Sequence, residues 1–206
     1  GPATRKLFFS NTTTVCDINC VLPGCNPANC GIFTVSAVEQ VAFANYSQTG
    51  MQGNYLIISH PALMQGDINE VERYRLYRSS PEGGNYEAIV VDINQLYDQF
   101  AYGIQKNPLA IRNFVNFAED TWSVAPQYLL LLGKSIGYHR FGLNPAWFNL
   151  CLVPSYGHQP SDLMLSVRDT VGYENQLATG RVPAKTPAEV AAYLNKLIQY
   201  ETPSPC

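Results

Sequence analysis

Apolar residues in this chain fall into two kinds of run, and the continuous kind fixes the fold class. Tyr128-Leu129-Leu130-Leu131-Leu132 is apolar at every position, bounded by Pro126 before and Gly133 after. A strand without polar alternation is one covered on both faces, which is the condition of a parallel sheet. Tyr55-Leu56-Ile57-Ile58, stopped by Ser59-His60-Pro61, and Ala88-Ile89-Val90-Val91, closed by Asp92, are of the same kind. A shorter run, Cys151-Leu152-Val153-Pro154, reads as strand-like and leads into the polar turn from Tyr156 to Asp162.

Between these runs the apolar period changes to three and four, the signature of helices packing one stripe on a sheet. Asp67 can cap a helix carrying Ile68, Val71, Tyr74 and Tyr77, with Arg73, Arg75 and Arg78 mainly on the other side. Ile93, Leu96, Tyr97 and Phe100 predict a short helix directly after the second strand. Asn107-Pro108 supplies a cap and first-turn proline for a longer one with Leu109, Ile111, Phe114, Val115 and Ala118 apolar. A strand is expected from about Gln176-Leu177 to Gly180-Arg181-Val182-Pro183. The last helix is the best marked: Thr186 as cap, Pro187 in the first turn, Glu189 completing a capping box, then Val190, Tyr193, Leu194, Leu197 and Ile198. Strands succeeding one another with helices between them give, by the right-handed crossover rule, an α/β domain: a parallel sheet with helices on both faces.

The N-terminal quarter breaks this pattern. Residues 3–53 read as an irregular cysteine-rich arm, with a short strand at Lys6-Leu7-Phe8-Phe9 and residues 33–47 compatible with either helix or strand; residues 54–206 form the α/β body. Gly1-Pro2 reads as the scar of a tag-removing protease, so the natural chain is expected to extend beyond these ends. Cys16, Cys20, Cys25 and Cys30 fall among Asn, Pro and Gly at spacings that differ from the close pairs of zinc sites. Two local disulfides are favoured over free thiols or a metal, with three pairings open, and Cys151 with Cys206 could form a third bridge. Disulfides would put the protein in an oxidising compartment. Asn11-Thr12-Thr13 and Asn45-Tyr46-Ser47 match the glycosylation acceptor pattern, which matters only in a host that glycosylates.

Charge removes whole classes of partner. A net charge of −3 gives no electrostatic footprint for nucleic acid or anionic membrane, and no apolar run approaches the ~20 residues of a spanning helix.

In parallel sheets ligands bind beyond the carboxyl ends of the strands. That places Lys134, Ser135, His139, His158 and Asp162 best to face one. A histidine at a strand end, such as His60, is more often bonded to a loop backbone than part of a site. Gly133-Lys134-Ser135 resembles the tail of a phosphate-binding loop, but the position that must be glycine is Tyr128. No Gly-x-Gly-x-x-Gly follows a strand. Gly133-Lys134-Ser135-Ile136-Gly137 spells a nucleophile elbow, yet Gly137, Gly142 and Pro145 interrupt the helix an elbow must open, and no acid lies between Ser135 and His139 or His158. Cys151 sits within an apolar run rather than after one, so its reading is structural. The residues alone supply no catalytic set.

The order of motifs nonetheless resembles one family. Tyr55-Leu56-Ile57-Ile58-Ser59-His60-Pro61, Tyr97-Asp98-Gln99-Phe100 with Ala110-Ile111-Arg112-Asn113-Phe114, the run from Tyr128 to Gly133, Val153-Pro154-Ser155-Tyr156-Gly157, Ser161-Asp162, Gly180-Arg181-Val182-Pro183 and Val190 to Glu201 occur in the order seen in gingipain-like cysteine peptidases. The likeness is strongest to the peptidase domain of the type IX secretion system cell-surface sortases of Bacteroidetes, and it covers residues 55 to 201.

That resemblance implies a caspase-like domain of two side-by-side subdomains, of which this chain is the first. It also implies an extracellular, cell-surface or periplasmic location. The family's catalytic histidine, in a His-Gly motif, and its cysteine nucleophile belong to the second subdomain, downstream of the pair matched by Tyr200-Glu201. Neither motif is present here, so no catalytic residue carries over. Ser161, Asp162, His158 and Lys134 are the expected substrate-binding residues. No cofactor is required, although in relatives the Ser-Asp turn allows a calcium. One departure bears on this: the strand-end glycine is usually followed by aspartate, and here by Lys134, a cation in place of an anionic ligand. The implied partner is a polypeptide substrate or the second peptidase subdomain. An alternative from another class is a non-catalytic binding or scaffold domain of an exported protein, using the loops 134–162.

Overall fold

The computed structural model describes residues 5–10, 34–40, 42–141, 143–168 and 174–202, the first two stretches by their backbone alone. The chain divides into two compact units, Gly1–Ala44 and Asn45–Cys206. In the first, β1 (Arg5–Ser10) pairs antiparallel with β2 (Thr34–Gln40). Cys16, Cys20, Cys25, Cys30 and Cys206 lie outside the described residues, and with them the expected disulfides.

The unbroken apolar runs form the middle of the sheet in the second unit. β3 (Tyr55–Ser59) and β5 (Tyr128–Leu132) pair in parallel with Tyr55 opposite Tyr128, and Leu56 to Ile58 and Leu129 to Leu132 are all buried. β4 (Ala88–Asp92) flanks β3 and β6 (Ala178–Val182) flanks β5, so the order is β4-β3-β5-β6 with every pair parallel. The edge strand β6 alternates in exposure until Val182, because only one of its sides has a neighbour.

Helices cover both faces. Ile57, Leu130, Leu132 and Val182 pack with Val71 and Tyr74 of α1 (Glu70–Ser79) and Val190 and Leu194 of α5 (Pro187–Glu201). Alternation along a strand turns Leu56, Ile58, Leu129 and Leu131 the other way. On that side α2 (Ile93–Phe100) and α3 (Leu109–Thr121), packed on each other, bury Leu96, Tyr97, Ile111, Phe114 and Val115. Each such side chain contributes about 1.5–3 kcal/mol by leaving water. Residues 45–53 belong to this body. Tyr46 is 4% exposed, its ring lies 4.9 Å from that of Phe114, and its carbonyl accepts from Trp122 Nε1 at 2.8 Å.

Several boundaries differ from the sequence expectation, each for a local reason. Asn69, not Asp67, caps α1: its Oδ1 accepts from Glu72 N at 3.1 Å, which leaves Ile68 outside the helix and 61% exposed. The run from Cys151 to Val153 is no strand. It follows a short helix, α4 (Pro145–Leu150), that was not expected; Asn144 Oδ1 accepts from Ala146 N at 2.9 Å and Pro145 fills the first turn. Leu152 N and Val153 N both donate to Lys134 O, at 2.8 and 3.2 Å, so the segment is buried against the end of β5 without extending the sheet. At α5, Thr186 Oγ1 accepts from Glu189 N as expected, but Glu189 Oε2 reaches back to Lys185 N at 2.7 Å, one residue before the cap.

Candidate functional site

The carboxyl edge of the sheet is tied together by a side chain from its outermost strand. Arg181 of β6 is 12% exposed and points along the ends of its neighbours. Its Nη1 donates to Gly133 O at 2.7 Å and Val153 O at 2.9 Å, and its Nη2 to Pro154 O at 3.0 Å. Nε and Nη2 take the two oxygens of Asp162 at 2.7 and 2.8 Å. All five guanidinium N–H groups are thereby used. The end of β5, the segment after α4 and the turn from Tyr156 to Asp162 are held as one rim. Ser59 Oγ, buried, adds the end of β3 by donating to Leu132 O at 3.0 Å.

Gly133 is required where the rim turns. Its φ is +152°, and a Cβ would lie 2.8 Å from Val153 Cγ2 and 3.2 Å from Leu152 Cβ. Only glycine lets the chain leave β5 this close to the following segment.

Beyond Gly133 the rim encloses an open pocket of about 380 Å³, lined by Lys134, Ser135, Ile136, Gly137, His139, Arg140, Trp147, Leu150 and Pro160. One wall is the 137–140 turn. The rest of the lining comes from α4 and the tip of the Tyr156–Ser161 turn, closed by Ser161 N donating to Tyr156 O at 2.8 Å. His139, which lines the pocket, stacks on His158, with ring centroids 4.7 Å apart and planes inclined by 28°. Arg140 lies 5.6 Å from the ring of Trp147.

The residues expected to bind a ligand thus divide into two groups. Lys134 lines the pocket and His158 supports it through His139. Ser161 and Asp162 lie on the far side of the same turn, one in its backbone bridge and the other bound to Arg181. The donor set does not fit the calcium that the resemblance allows. Both Asp162 oxygens are taken by a cation, and among the described residues no group of three or more His, Cys, Asp or Glu side chains could hold a metal.

The other nucleophile candidates are engaged elsewhere. Ser135 Oγ pairs with Ser155 Oγ at 2.6 Å, not with an imidazole. His60 Nδ1 accepts from Ala62 N at 3.1 Å as a local cap, and its pKa is lowered, first by burial and then by Lys106. Cys151 is a free thiol, fully buried, with Sγ 3.8 Å from Ile136 O. Burial raises its pKa, outweighing the opposite effects of that carbonyl contact, Lys106 and Arg181. Such a thiol resists forming the nucleophilic thiolate.

Sequence reasoning does not single out Arg181, Arg140 or Trp147 as site residues. Arg181 falls in the Gly180-Arg181-Val182-Pro183 stretch, but its partners are mostly loop carbonyls distant in sequence. The Asn144-Pro145 cap was the available signal for the helix that brings in Trp147.

Comparison with known proteins gives a family and a fold. The sequence model of peptidase family C25 matches residues 48–205. Among solved structures, dimeric latent PorU from Porphyromonas gingivalis is similar with a TM-score of 0.58 at 18% identity, the alignment covering 84% of this chain and 18% of the PorU chain. No curated protein matches. The chain spans under a fifth of the length of that PorU chain, and the likeness bears on the fold: a four-stranded parallel sheet with flanking helices. With more than half of its length matched, the chain belongs to peptidase family C25, the gingipain family.

Proposed function

We propose that this chain is the first, non-catalytic subdomain of a gingipain-like cysteine endopeptidase or sorting peptidase of a secreted or cell-surface protein. It builds one wall of the cleft and positions a polypeptide, while a second subdomain supplies histidine and cysteine. The observation that carries this reading is the state of Cys151. A family that works by a cysteine nucleophile needs an exposed thiolate beside a base, whereas the one cysteine among the described residues is buried, with its pKa raised and no imidazole in hydrogen-bond contact. The rim held by Arg181 suits the complementary task. Holding a substrate in register can lower a barrier by about 7–11 kcal/mol when the reacting group comes from elsewhere.

The location follows the same support. Gingipain-family proteins act outside the cytoplasm, and no helix among the described residues is long and apolar enough to cross a membrane.

A thiol-directed peptidase probe tests the proposal. The full-length parent protein is expected to label on a cysteine outside residues 1–206, and the isolated chain to remain unlabelled. Labelling of Cys151 with peptide turnover by the isolated chain contradicts it. No labelling of the parent favours the scaffold alternative.

A further inference from the structure

The pocket after β5 is cationic although the chain as a whole carries a net charge of −3. Lys134 and Arg140 both line it and no aspartate or glutamate does. Among the described residues neither cation is neutralised: the Lys134 ammonium makes no ion pair or side-chain hydrogen bond, and Arg140 meets the face of Trp147 instead of a carboxylate. The acid nearest in sequence to the Pro160 wall, Asp162, has both oxygens committed to Arg181. Among the described residues an internal counter-charge is therefore lacking at a place where one would be favourable.

The base of this cation is rigid. Lys134 N donates to Ala184 O at 2.8 Å, and Lys134 O accepts from Leu152 N and Val153 N. Its backbone is thus locked into the rim while its side chain faces the pocket. Trp147, Leu150 and Pro160 give the cavity an apolar side, which suits methylenes rather than a bare inorganic ion. We infer that this pocket takes a carboxylate of the bound polypeptide, with the acidic group between Lys134 and Arg140 and the carbon atoms that carry it against Trp147 and Pro160.

The inference rests on the reading of this rim as a polypeptide-binding wall and adds the chemical class it selects. Its test is the affinity of the 206-residue chain for capped, C-terminally amidated short peptides that differ at one position, Glu, Gln or Arg. The Glu peptide is expected to bind about tenfold tighter than the Gln peptide, the scale of one charge-assisted contact. That preference should weaken with added salt. Lys134→Met and Arg140→Met are each expected to remove most of it, bringing the ratio of Glu to Gln affinity down toward one. Lys134→Asp should move the preference toward the Arg peptide. Because Lys134 holds the rim through backbone atoms, circular dichroism of these variants should match the parent chain.

A Gln peptide with a free C-terminus distinguishes the source of the carboxylate. Binding as tight as the amidated Glu peptide assigns the pocket to a chain end, and weak binding assigns it to an acidic side chain. The same affinity for the amidated Glu peptide, the amidated Gln peptide and the Gln peptide with a free C-terminus, no measurable binding of any of them, or inorganic phosphate displacing the bound peptide at lower concentration than acetate overturns the inference. Failure here is separable from failure of the peptidase reading, because the thiol probe reports the parent's nucleophile and is blind to charge selectivity in this pocket.

Discussion

Arg181 and Asp162 meet as a two-point pair, Nε to Oδ2 at 2.7 Å and Nη2 to Oδ1 at 2.8 Å, and the pair converts an acidic residue of a ligand-facing turn into a structural tie. The remaining guanidinium donors reach Gly133, Val153 and Pro154 carbonyls, so the same side chain fixes three segments. Arg181→Met is expected to destabilise the chain by about 3 kcal/mol, since it strands a carboxylate and three carbonyls. Arg181→Lys should recover little of this, because a single ammonium cannot span the fork. Urea unfolding of both variants checks the prediction; a loss under ~1 kcal/mol for Arg181→Met would contradict it.

Gly133→Ala tests the tight exit from β5. Contact of the new Cβ with Val153 Cγ2 and the unfavourable φ act together, and a loss of about 1–3 kcal/mol is expected. The pocket should suffer as well, since Lys134 follows directly. An unchanged unfolding midpoint would mean that the rim yields more easily than its geometry suggests.

At the opposite end of the sheet, the C-terminus of α5 is anchored by Glu201. Tyr77 Oη donates to its Oε2 at 2.6 Å and Arg78 Nη1 to its Oε1 at 3.1 Å. The hydrogen bond to this carboxylate, ahead of burial, pushes the Tyr77 phenol up to about 12. Glu201→Gln should therefore bring the Tyr77 value down toward the ordinary 10.0, measurable by NMR titration of labelled tyrosine. No movement would show that the contact is not formed in solution.

Alkaline pH should unfold the chain more readily than its modest charge suggests. Burial above all raises the Cys151 thiol from 9.0 and the Tyr46, Tyr55 and Tyr97 phenols from 10.0. The folded state favours their neutral forms, so the stability they contribute is fully present below the unfolded values. It is lost as pH rises through them toward the folded ones, with a slope of up to about 1.4 kcal/mol per pH unit for each group. Urea midpoints should therefore fall between about pH 8 and about pH 10.5. A flat profile over that interval contradicts the assignment.

Much of the fold was legible because β3 and β5 are covered on both faces and record it as unbroken apolar runs. Thr186 likewise announces the start of α5 through local capping chemistry, whereas Asp92, read only as the end of β4, also caps α2. The misses have a common origin in contacts that are distant in sequence. Asp162 reads as a ligand because its own turn holds no arginine or lysine; its partner lies nineteen residues on, in β6. Cys151 to Val153 reads as a strand because it is apolar, but it is buried by Gly133 and Lys134 rather than by sheet neighbours. Asn144-Pro145 carries the same start signal as Asn107-Pro108. The helix it opens is too short to display a period.

The most direct test of the account is to place a photo-crosslinking residue at Leu150, which lines the pocket and is 48% exposed, in the full-length parent protein. Tyr200, 88% exposed beside the Glu201 anchor, serves as the control. With a labelled peptide substrate analogue bound, the account predicts crosslinking of the peptide from position 150 and none from position 200. Crosslinking from position 200 alone, or equally from both, would contradict the assignment of the β5 rim as the substrate wall.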